Sequence, residues 1–385
     1  MTKIRMGMVG GGEGAFIGAV HRMAAAIDGN IELVCGAFSS DPARARRSGA
    51  ALYLPEERVY TDYLEMMQAE AALPADERMQ FVAIVTPNHL HFPVARAALK
   101  SGFHVLSDKP ATRDLAEALE LRKLVEQSGQ LYGLTHTYTG YPLVKEARER
   151  IARGELGKVR KIVVEYTQGW LADRQEDTDN KQAVWRLDPA QAGVSSCMGD
   201  IGVHAANLAE YVSGQAISAL CADLNVFVEG RELDDDGSIL LRFENDARGL
   251  LFASQVCVGE ENGLSIRVFG DKGGLEWRQQ EPNTLWLKWP DMPTQMLRTG
   301  GDYLCELAQA NTRTPMGHPE GYIEAFANVY QSFAAQIRAL NGGRQDDPRA
   351  DDAPGIEAAV RGMTFIELAV AASASDNKWH PFPHY

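Results

Sequence analysis

A glycine-rich turn, Val9-Gly10-Gly11-Gly12-Glu13-Gly14-Ala15, stands directly between an apolar run, Ile4 to Val9, and a helical stretch that ends near Asp28-Gly29-Asn30. A strand that feeds a helix through so tight a turn is the first half of a βαβ unit, and few architectures accept one. Gly10, Gly12 and Ala15 fit the spacing G-x-G-x-x-G/A. The first glycine permits the turn, the second lets backbone approach a pyrophosphate, and a small third residue lets helix and strand pack closely. The helix start then faces the anion with its unpaired N–H groups. The turn points to a dinucleotide held at Gly10, Gly12 and Ala15.

The following segments keep the same rhythm. Ile31 to Phe38 reads as a second strand, and Asp41-Pro42 opens a helix with Asp as N-cap and Pro at the first helical position. Phe81 to Val85 is a strand stopped by Thr86-Pro87-Asn88; a helix to about Lys100, a strand at His104 to Leu106, a helix over 112–128 and a strand at Leu131 to Thr135 come next. Strands separated by helices of this length build a parallel sheet with right-handed crossovers. After about residue 155 the pattern changes. Residues 159–168, 217–228, 238–244, 248–257, 264–269 and 284–289 read as longer β segments without intervening helices, joined by turns such as Asn245-Asp246 and Asp271-Lys272-Gly273-Gly274. Helices return at 320–340 and 352–374, with a loop from Asn341 to Pro348 between them. A chain of 385 residues is long enough for two cores. The expected fold is an α/β Rossmann domain over 1–135, then an α+β domain over 136–385 with a large, mainly antiparallel open sheet.

The end of the second strand normally supplies the acid that holds the adenosine ribose of NAD. Here it reads Phe38-Ser39-Ser40-Asp41, and Asp41 is better explained as the helix N-cap. The hydroxyls of Ser39 and Ser40, with Arg44, Arg46 and Arg47 on the next helix, suit a 2′-phosphate and favour NADP, although the arginines also read as a solvated helix face. The cofactor expected is NAD or NADP.

Two further motifs end successive parallel strands at the sheet edge where open α/β sheets bind ligands: Thr86-Pro87-Asn88-His89-Leu90-His91, and Ser107-Asp108-Lys109-Pro110. A third lies in the second half, Gly199-Asp200-Ile201-Gly202-Val203-His204, where a carboxylate and an imidazole are four residues apart on one helical face. Such a pair can orient a ligand hydroxyl and take its proton, or serve as a structural Asp–His contact. Nothing at recognisable spacing adds third and fourth metal ligands, so no metal is expected. The net charge of −14 is spread along the chain, which argues against nucleic acid or an anionic membrane as partner. Five scattered cysteines read as reduced thiols. The N-terminus enters a strand at once, and no run approaches the roughly 20 apolar residues of a membrane span, so a cytoplasmic location is expected.

Taken together, the four motifs resemble the glucose–fructose oxidoreductase/inositol dehydrogenase/rhizopine catabolism (Gfo/Idh/MocA) family, which shows a glycine-rich turn, Thr-Pro-Asn-x-x-His, Glu-Lys-Pro and Asp-x-Gly-x-His in this order. The resemblance covers essentially the whole chain. It implies that Lys109 lies near both nicotinamide and substrate hydroxyl, that Asp200 positions the substrate, and that His204 is the catalytic acid/base. Cofactor contacts are expected from Gly10, Gly12, Ala15, Ser39, Ser40, Arg44, Thr86, Pro87, Asn88, His91, Asp108 and Lys109. Two positions depart from the pattern: Asp108 replaces the usual Glu, and Asn207 stands where many members carry another Asp. Tyr138, Tyr141, Trp185 and Arg186 are further substrate candidates. Aromatic rings suit the apolar face of a sugar and the guanidinium suits an anionic substituent, though each also reads as packing or interface.

The function implied is hydride transfer between NAD(P) and a secondary alcohol or ketone carbon of a sugar, sugar derivative or cyclic polyol. The same fold also hosts glycosidases that oxidise a sugar at C3, eliminate the aglycone and reduce the product on retained NAD. A cofactor-sensing regulator without catalysis is the third reading, and the presence of Lys109 and His204 speaks against it. The resemblance also implies a homodimer or homotetramer formed through the second domain's sheet.

Overall fold

The computed structural model describes residues 2–178, 181–342 and 346–385. Gly343, Arg344 and Gln345 of the expected 341–348 loop lie outside the described residues. The chain forms two compact units, Met1–Thr137 with Tyr322–Val360, and Tyr138–Gly321 with Arg361–Tyr385. The division expected from sequence was contiguous, at residue 135.

Among the described residues the first unit holds six strands: β1 (Ile4–Gly10), β2 (Ile31–Ala37), β3 (Val59–Tyr60), β4 (Phe81–Val85), β5 (His104–Ser107) and β6 (Tyr132–Leu134). They are ordered β3-β2-β1-β4-β5-β6, and every pairing is parallel. The order reverses between β1 and β4, the crevice where such sheets take ligands. Helices α1 (Phe16–Ala26), α2 (Pro42–Ala51), α3 (Tyr63–Ala72), α4 (His91–Lys100) and α5 (Leu115–Ser128) connect them. Asp41 caps α2 by accepting the Arg44 N–H at 2.6 Å, with Pro42 in the first turn, as its sequence predicts.

All five residues of β4 are buried, because both faces of the sheet are covered. Val82 and Ile84 pack with Met66, Met67, Val94 and Leu99 on one side. Phe81, Ala83 and Val85 pack on the other with Val20 and Ala24 of α1 and with Phe326, Tyr330, Phe333 and Ile337. Those last four lie three to four apart on the helix Tyr322–Leu340. That helix therefore belongs to the first unit, because its apolar stripe completes the cover that α1 begins. Sequence order had placed it in the second domain.

Three buried histidines of this unit are held neutral. Burial drops His21 and His104 to about 4 and His136 to about 3. Between pH 6.5 and those values the unfolded chain binds protons that the native chain refuses, so stability falls as pH falls through that window. A tenfold loss of proton affinity is worth about 1.4 kcal/mol, so protonating the native chain costs about 3 kcal/mol at His21 or His104 and about 5 kcal/mol at His136. The melting temperature is expected to drop steeply between pH 6.5 and 4; calorimetry showing a flat profile there would contradict the neutral, buried rings.

Among the described residues the second unit is built on nine strands: β7 (Val159–Thr167), β8 (Ile217–Asn225), β9 (Asp236–Phe243), β10 (Arg248–Ser254), β11 (Gly263–Gly270), β12 (Gly274–Arg278), β13 (Thr284–Lys288), β14 (Gln295–Arg298) and β15 (His380–Pro381). Their order is β14-β13-β12-β11-β7-β10-β9-β8-β15. All neighbours are antiparallel except β7 and β10, which run parallel. Alternate residues such as Ile162, Val164 and Tyr166 on β7, and Leu264, Ile266 and Val268 on β11, are buried. The helix Val203–Ser213 packs on β7, and the helix Pro142–Ala152 packs against that helix.

Candidate functional site

In the first unit the glycine turn has the shape its spacing predicts. Gly10 and Gly14 adopt φ of 85° and 80°, a region that favours glycine. A Cβ on Gly10 would meet Val85 O at 2.8 Å, and one on Gly12 would meet Phe38 O at 2.8 Å and Ser48 Oγ at 2.9 Å. The close approach of helix and turn falls on Gly18, whose Cβ would lie 2.3 Å from Gly11 Cα. Sequence spacing had given that role to Ala15. Because α1 begins only at Phe16, Ala15 is its N-cap, and the residue that turns back over Gly11 is Gly18. Ala15 supplies no side-chain acceptor to the first N–H groups of α1, and this leaves them suited to a phosphate.

Past β2, Ser39 Oγ accepts the Asp41 N–H at 3.1 Å, and Ser40 and Arg44 are exposed. Arg47 pairs with Glu13 at 2.9 Å and Arg46 faces Glu56 at 3.9 Å. Two of the three arginines read as phosphate holders thus face glutamates.

Thr86, Pro87 and Asn88 follow β4, and Thr86 Oγ1 is buried with no hydrogen-bond partner among the described residues. An orphaned hydroxyl at this sheet edge fits a ligand that supplies the missing partner. His91 is placed differently from the expected cofactor contact. It is 1% exposed, with Nδ1 2.7 Å from Pro110 O and Nε2 2.8 Å from Thr86 O, so it ties the two edge loops together. Asp108 Oδ1 accepts the Thr135 hydroxyl at 2.8 Å and the Lys109 N–H at 2.9 Å. Lys109, half-buried, follows at the end of β5.

The second unit gathers its own polar cluster. Asp200 lies in a wide π-turn, Met198–Gly202, where the Val203 N–H reaches Met198 O; His204 follows in the first turn of the helix Val203–Ser213. Such widened turns are frequent at functional sites. Asp200 Oδ2 accepts Gln255 Nε2 at 2.9 Å and lies 3.3 Å from Arg186 Nε. Arg186 also covers the Trp185 ring at 4.3 Å. The guanidinium expected to hold an anionic substituent is therefore paired with Asp200.

His204 is 8% exposed and meets the Tyr138 ring edge-on at 4.9 Å. The Tyr138 and Tyr166 hydroxyls share a short hydrogen bond. Asn262 Oδ1 accepts from Tyr166 OH and from Gln168 Nε2, both at 2.8 Å, and Gln168 Oε1 accepts Trp170 Nε1 at 2.9 Å. Tyr141 is not part of this group. It is 2% exposed, packs on Trp277 at 5.2 Å, and its hydroxyl accepts Gln279 Nε2 at 3.3 Å, which makes it a core residue.

Tyr166, Gln168, Gln255 and Asn262 were not singled out by sequence. They meet because β10 runs parallel to β7, with Ser254 opposite Thr167, while β11 starts opposite the same Thr167. Residues just past β7 and β10 and just before β11 therefore share one sheet edge. Their only local signal is a polar side chain at a strand end, which is common.

Comparison with known proteins agrees with both halves of this arrangement. Residues 4–136 match the oxidoreductase family with an NAD-binding Rossmann fold, and residues 144–276 match the GFO/IDH/MocA C-terminal domain. Over 384 residues the chain is 33% identical to the uncharacterized oxidoreductase YfiI of Bacillus subtilis, covering 98% of this chain and 97% of that one. It belongs to the GFO/IDH/MocA oxidoreductase family.

A crystal structure of an inositol dehydrogenase homolog from Azotobacter vinelandii complexed with NAD+ superposes on this GFO/IDH/MocA chain with a TM-score of 0.93 at 36% identity, covering 99% of this chain and 98% of that one. The same homolog was also determined with NADH and myo-inositol, with a TM-score of 0.91, 35% identity and the same coverage. Levoglucosan dehydrogenase of Pseudarthrobacter phenanthrenivorans is 26% identical over 322 residues, covering 74% of this chain and 76% of that one. The family resemblance of the four motifs, the Rossmann unit, the mainly antiparallel second sheet and the NAD-binding oxidoreductase class are thus as the sequence implies. No described helix is long and apolar enough to cross a membrane.

Proposed function

We propose that this GFO/IDH/MocA oxidoreductase transfers hydride between NAD and a secondary alcohol or ketone carbon of a sugar or cyclic polyol. The hydrogen-bonded cluster of Asp200, Gln255, Gln168, Asn262, Tyr166 and Tyr138 beside His204 carries this reading. Carboxylate, amide and phenol groups in one network both donate and accept, which is the chemistry needed to read several hydroxyls on one ring. Levoglucosan, in the name of one relative, and myo-inositol, bound in a solved neighbour, are polyhydroxylated rings of this kind.

When bound, NAD supplies the hydride acceptor at its nicotinamide. The first unit's part is to hold it: Gly10, Gly12 and Ala15 admit the pyrophosphate, Ser39, Ser40 and Arg44 meet the ribose end, and Thr86, Pro87 and Asn88 line the edge. His91 and Asp108 act one step back, holding the loops. With Arg46 and Arg47 facing glutamates, NAD is preferred over NADP. Lys109 donates to the reacting oxygen and stabilises the developing alkoxide. Asp200, oriented by Arg186 and Gln255, accepts a hydrogen bond from a substrate hydroxyl, and His204 takes the hydroxyl proton of the carbon being oxidised. Tyr138 and Trp185 offer ring faces to the substrate. In the direction of reduction His204 returns the proton.

The five free thiols support a reducing, cytoplasmic setting. A homodimer or homotetramer is supported by the outer face of the second unit's sheet, where Leu240, Leu250 and Val163 stand opposite one another across β9, β10 and β7, and Leu240 is 42% exposed. Leu240→Asp is expected to lower the mass seen by light scattering to that of a smaller species; a monomeric wild-type chain would rule this interface out.

The deciding experiment follows reduced-nicotinamide absorbance with NAD and NADP across sugars, inositols, sugar acids and aryl glycosides, with aglycone release scored in parallel. Net reduction of NAD by a polyol supports the dehydrogenase. Aglycone release without net cofactor change assigns an NAD-recycling glycosidase instead, and tight NAD binding with no turnover assigns a cofactor sensor.

A further inference from the structure

Asp108, the residue before Lys109, is hydrogen-bonded on one side and faced by an imidazole on the other, both within the first unit. Its Oδ1 accepts the Thr135 hydroxyl and the Lys109 N–H, at 2.8 and 2.9 Å. Its Oδ2 faces His21 Nε2 at 4.0 Å. His21, on α1, is 0% exposed, and its other ring nitrogen, Nδ1, lies 2.7 Å from the Tyr330 hydroxyl on the helix Tyr322–Leu340. The Phe326 ring stands edge-on to the imidazole at 4.6 Å. An imidazole and a phenol in an apolar wall, in line with a carboxylate, are polar groups at a costly depth, and the chemistry above uses neither.

The protonation of this row follows from its surroundings. His21 falls to about 4 through burial, with His91 and Arg22 acting the same way and the Asp108 charge opposing, so the ring is neutral and carries one proton. Burial pushes the Tyr330 phenol well above its usual value, so it keeps its proton and is able to donate it to Nδ1. With the phenol as donor, the imidazole proton sits on Nε2, the atom that faces Asp108.

We propose that Tyr330 and His21 form a buried relay that holds the Asp108 carboxylate in one orientation and thereby sets the turn that presents Lys109. Both are positioning residues, and their importance for turnover rests on the role given above to Lys109. Neither was legible in sequence: His21 reads as a lone histidine on a core-facing helix, and Tyr330 lies 222 residues beyond Asp108.

Tyr330→Phe removes the hydroxyl and keeps the ring that packs against Phe81 and Phe326. In the NAD-loaded chain, long-range ¹H–¹⁵N NMR of labelled histidine should show His21 as the Nε2–H tautomer in the wild type and a mixture in the variant. Hydrogen exchange at the Lys109 amide, which Asp108 holds, should quicken by about tenfold, the worth of one hydrogen bond, while amides of β1 and β4 stay protected. With a polyol substrate, kcat should fall by about tenfold and the dissociation constant of NADH should stay within about twofold. An Nδ1–H tautomer in the wild type, or an unchanged Lys109 amide in the variant, would overturn the relay. So would equal losses in kcat, NADH affinity and core protection, because they would mark a merely structural pair. If no polyol is turned over by the wild type, the function reading fails, and the tautomer and the Lys109 amide still decide the relay.

Discussion

Lys109→Ala is expected to lower kcat by about 10²- to 10³-fold while NADH binds as tightly as before. The reason lies in how the first unit divides its work. The pyrophosphate end is served by backbone, the glycine turn and the uncapped start of α1. Lys109 stands at the end of β5 with its N–H held by Asp108, so truncation beyond Cβ leaves that backbone bond in place. What disappears is a cation beside an oxygen that gains negative charge only as hydride leaves, which is a loss specific to the transition state. Lys109→Arg keeps the charge but replaces a compact ammonium by a planar fork, and should recover only part of the rate. Steady-state kinetics with a fluorescence titration of NADH would check this. A Lys109→Ala enzyme keeping more than about a tenth of its kcat would remove the residue from the chemistry.

His204→Asn is expected to cost about 10²- to 10⁴-fold in kcat, the usual worth of a positioned general base. Asn can still hydrogen-bond but cannot take a proton near neutral pH, so the limb of the kcat/KM profile that reports the base should vanish along with the rate. The site should otherwise survive. Tyr138 and Tyr166 are held by each other and by Asn262, and Asp200 is held by Arg186 and Gln255, and all of these partners remain in the variant. An unchanged pH profile in the variant would show that another group takes the proton. A profile that loses its limb with little loss of rate would show that the proton leaves directly to water.

How legible was all this in the amino-acid order? The strand–glycine–helix start, the Asp41-Pro42 cap and the hairpin turn at Asn245-Asp246 all have their structural counterparts, with Asp246 at φ of 65°. The boundaries moved by a few residues, as at β8, expected over 217–228 and ending at Asn225. Short strands were missed: β3 and β15 have two residues each and β14 four, too few for an alternating pattern to emerge. Side-chain roles were less legible than elements. At Ala15, His91, Tyr141 and Arg186 the structure differs from what the sequence suggests. Ala15 occupies the N-cap position and leaves the close approach to Gly18, His91 ties two loops, Tyr141 fills a core, and Arg186 pairs with Asp200.

The sequence by itself determined the glycine turn, the parallel rhythm of the first third, the change to antiparallel strands, and the four motifs that mark the family. Each is set by steric and hydrogen-bonding rules that act within a turn of helix or a pair of strand residues, so a few adjacent letters suffice. Tertiary structure alone decided that the helix Tyr322–Leu340 covers the first sheet, that Gly18 makes the close approach, and that Tyr330 and His21 stand in line with Asp108. It also decided that Gln168, Gln255 and Asn262 meet beside Asp200 and Tyr138. Those outcomes depend on which apolar face is left uncovered and on which strand pairs with which, as β7 does with β10 across some 80 residues. Burial settles such choices for the whole chain at once, and no local stretch of sequence carries them.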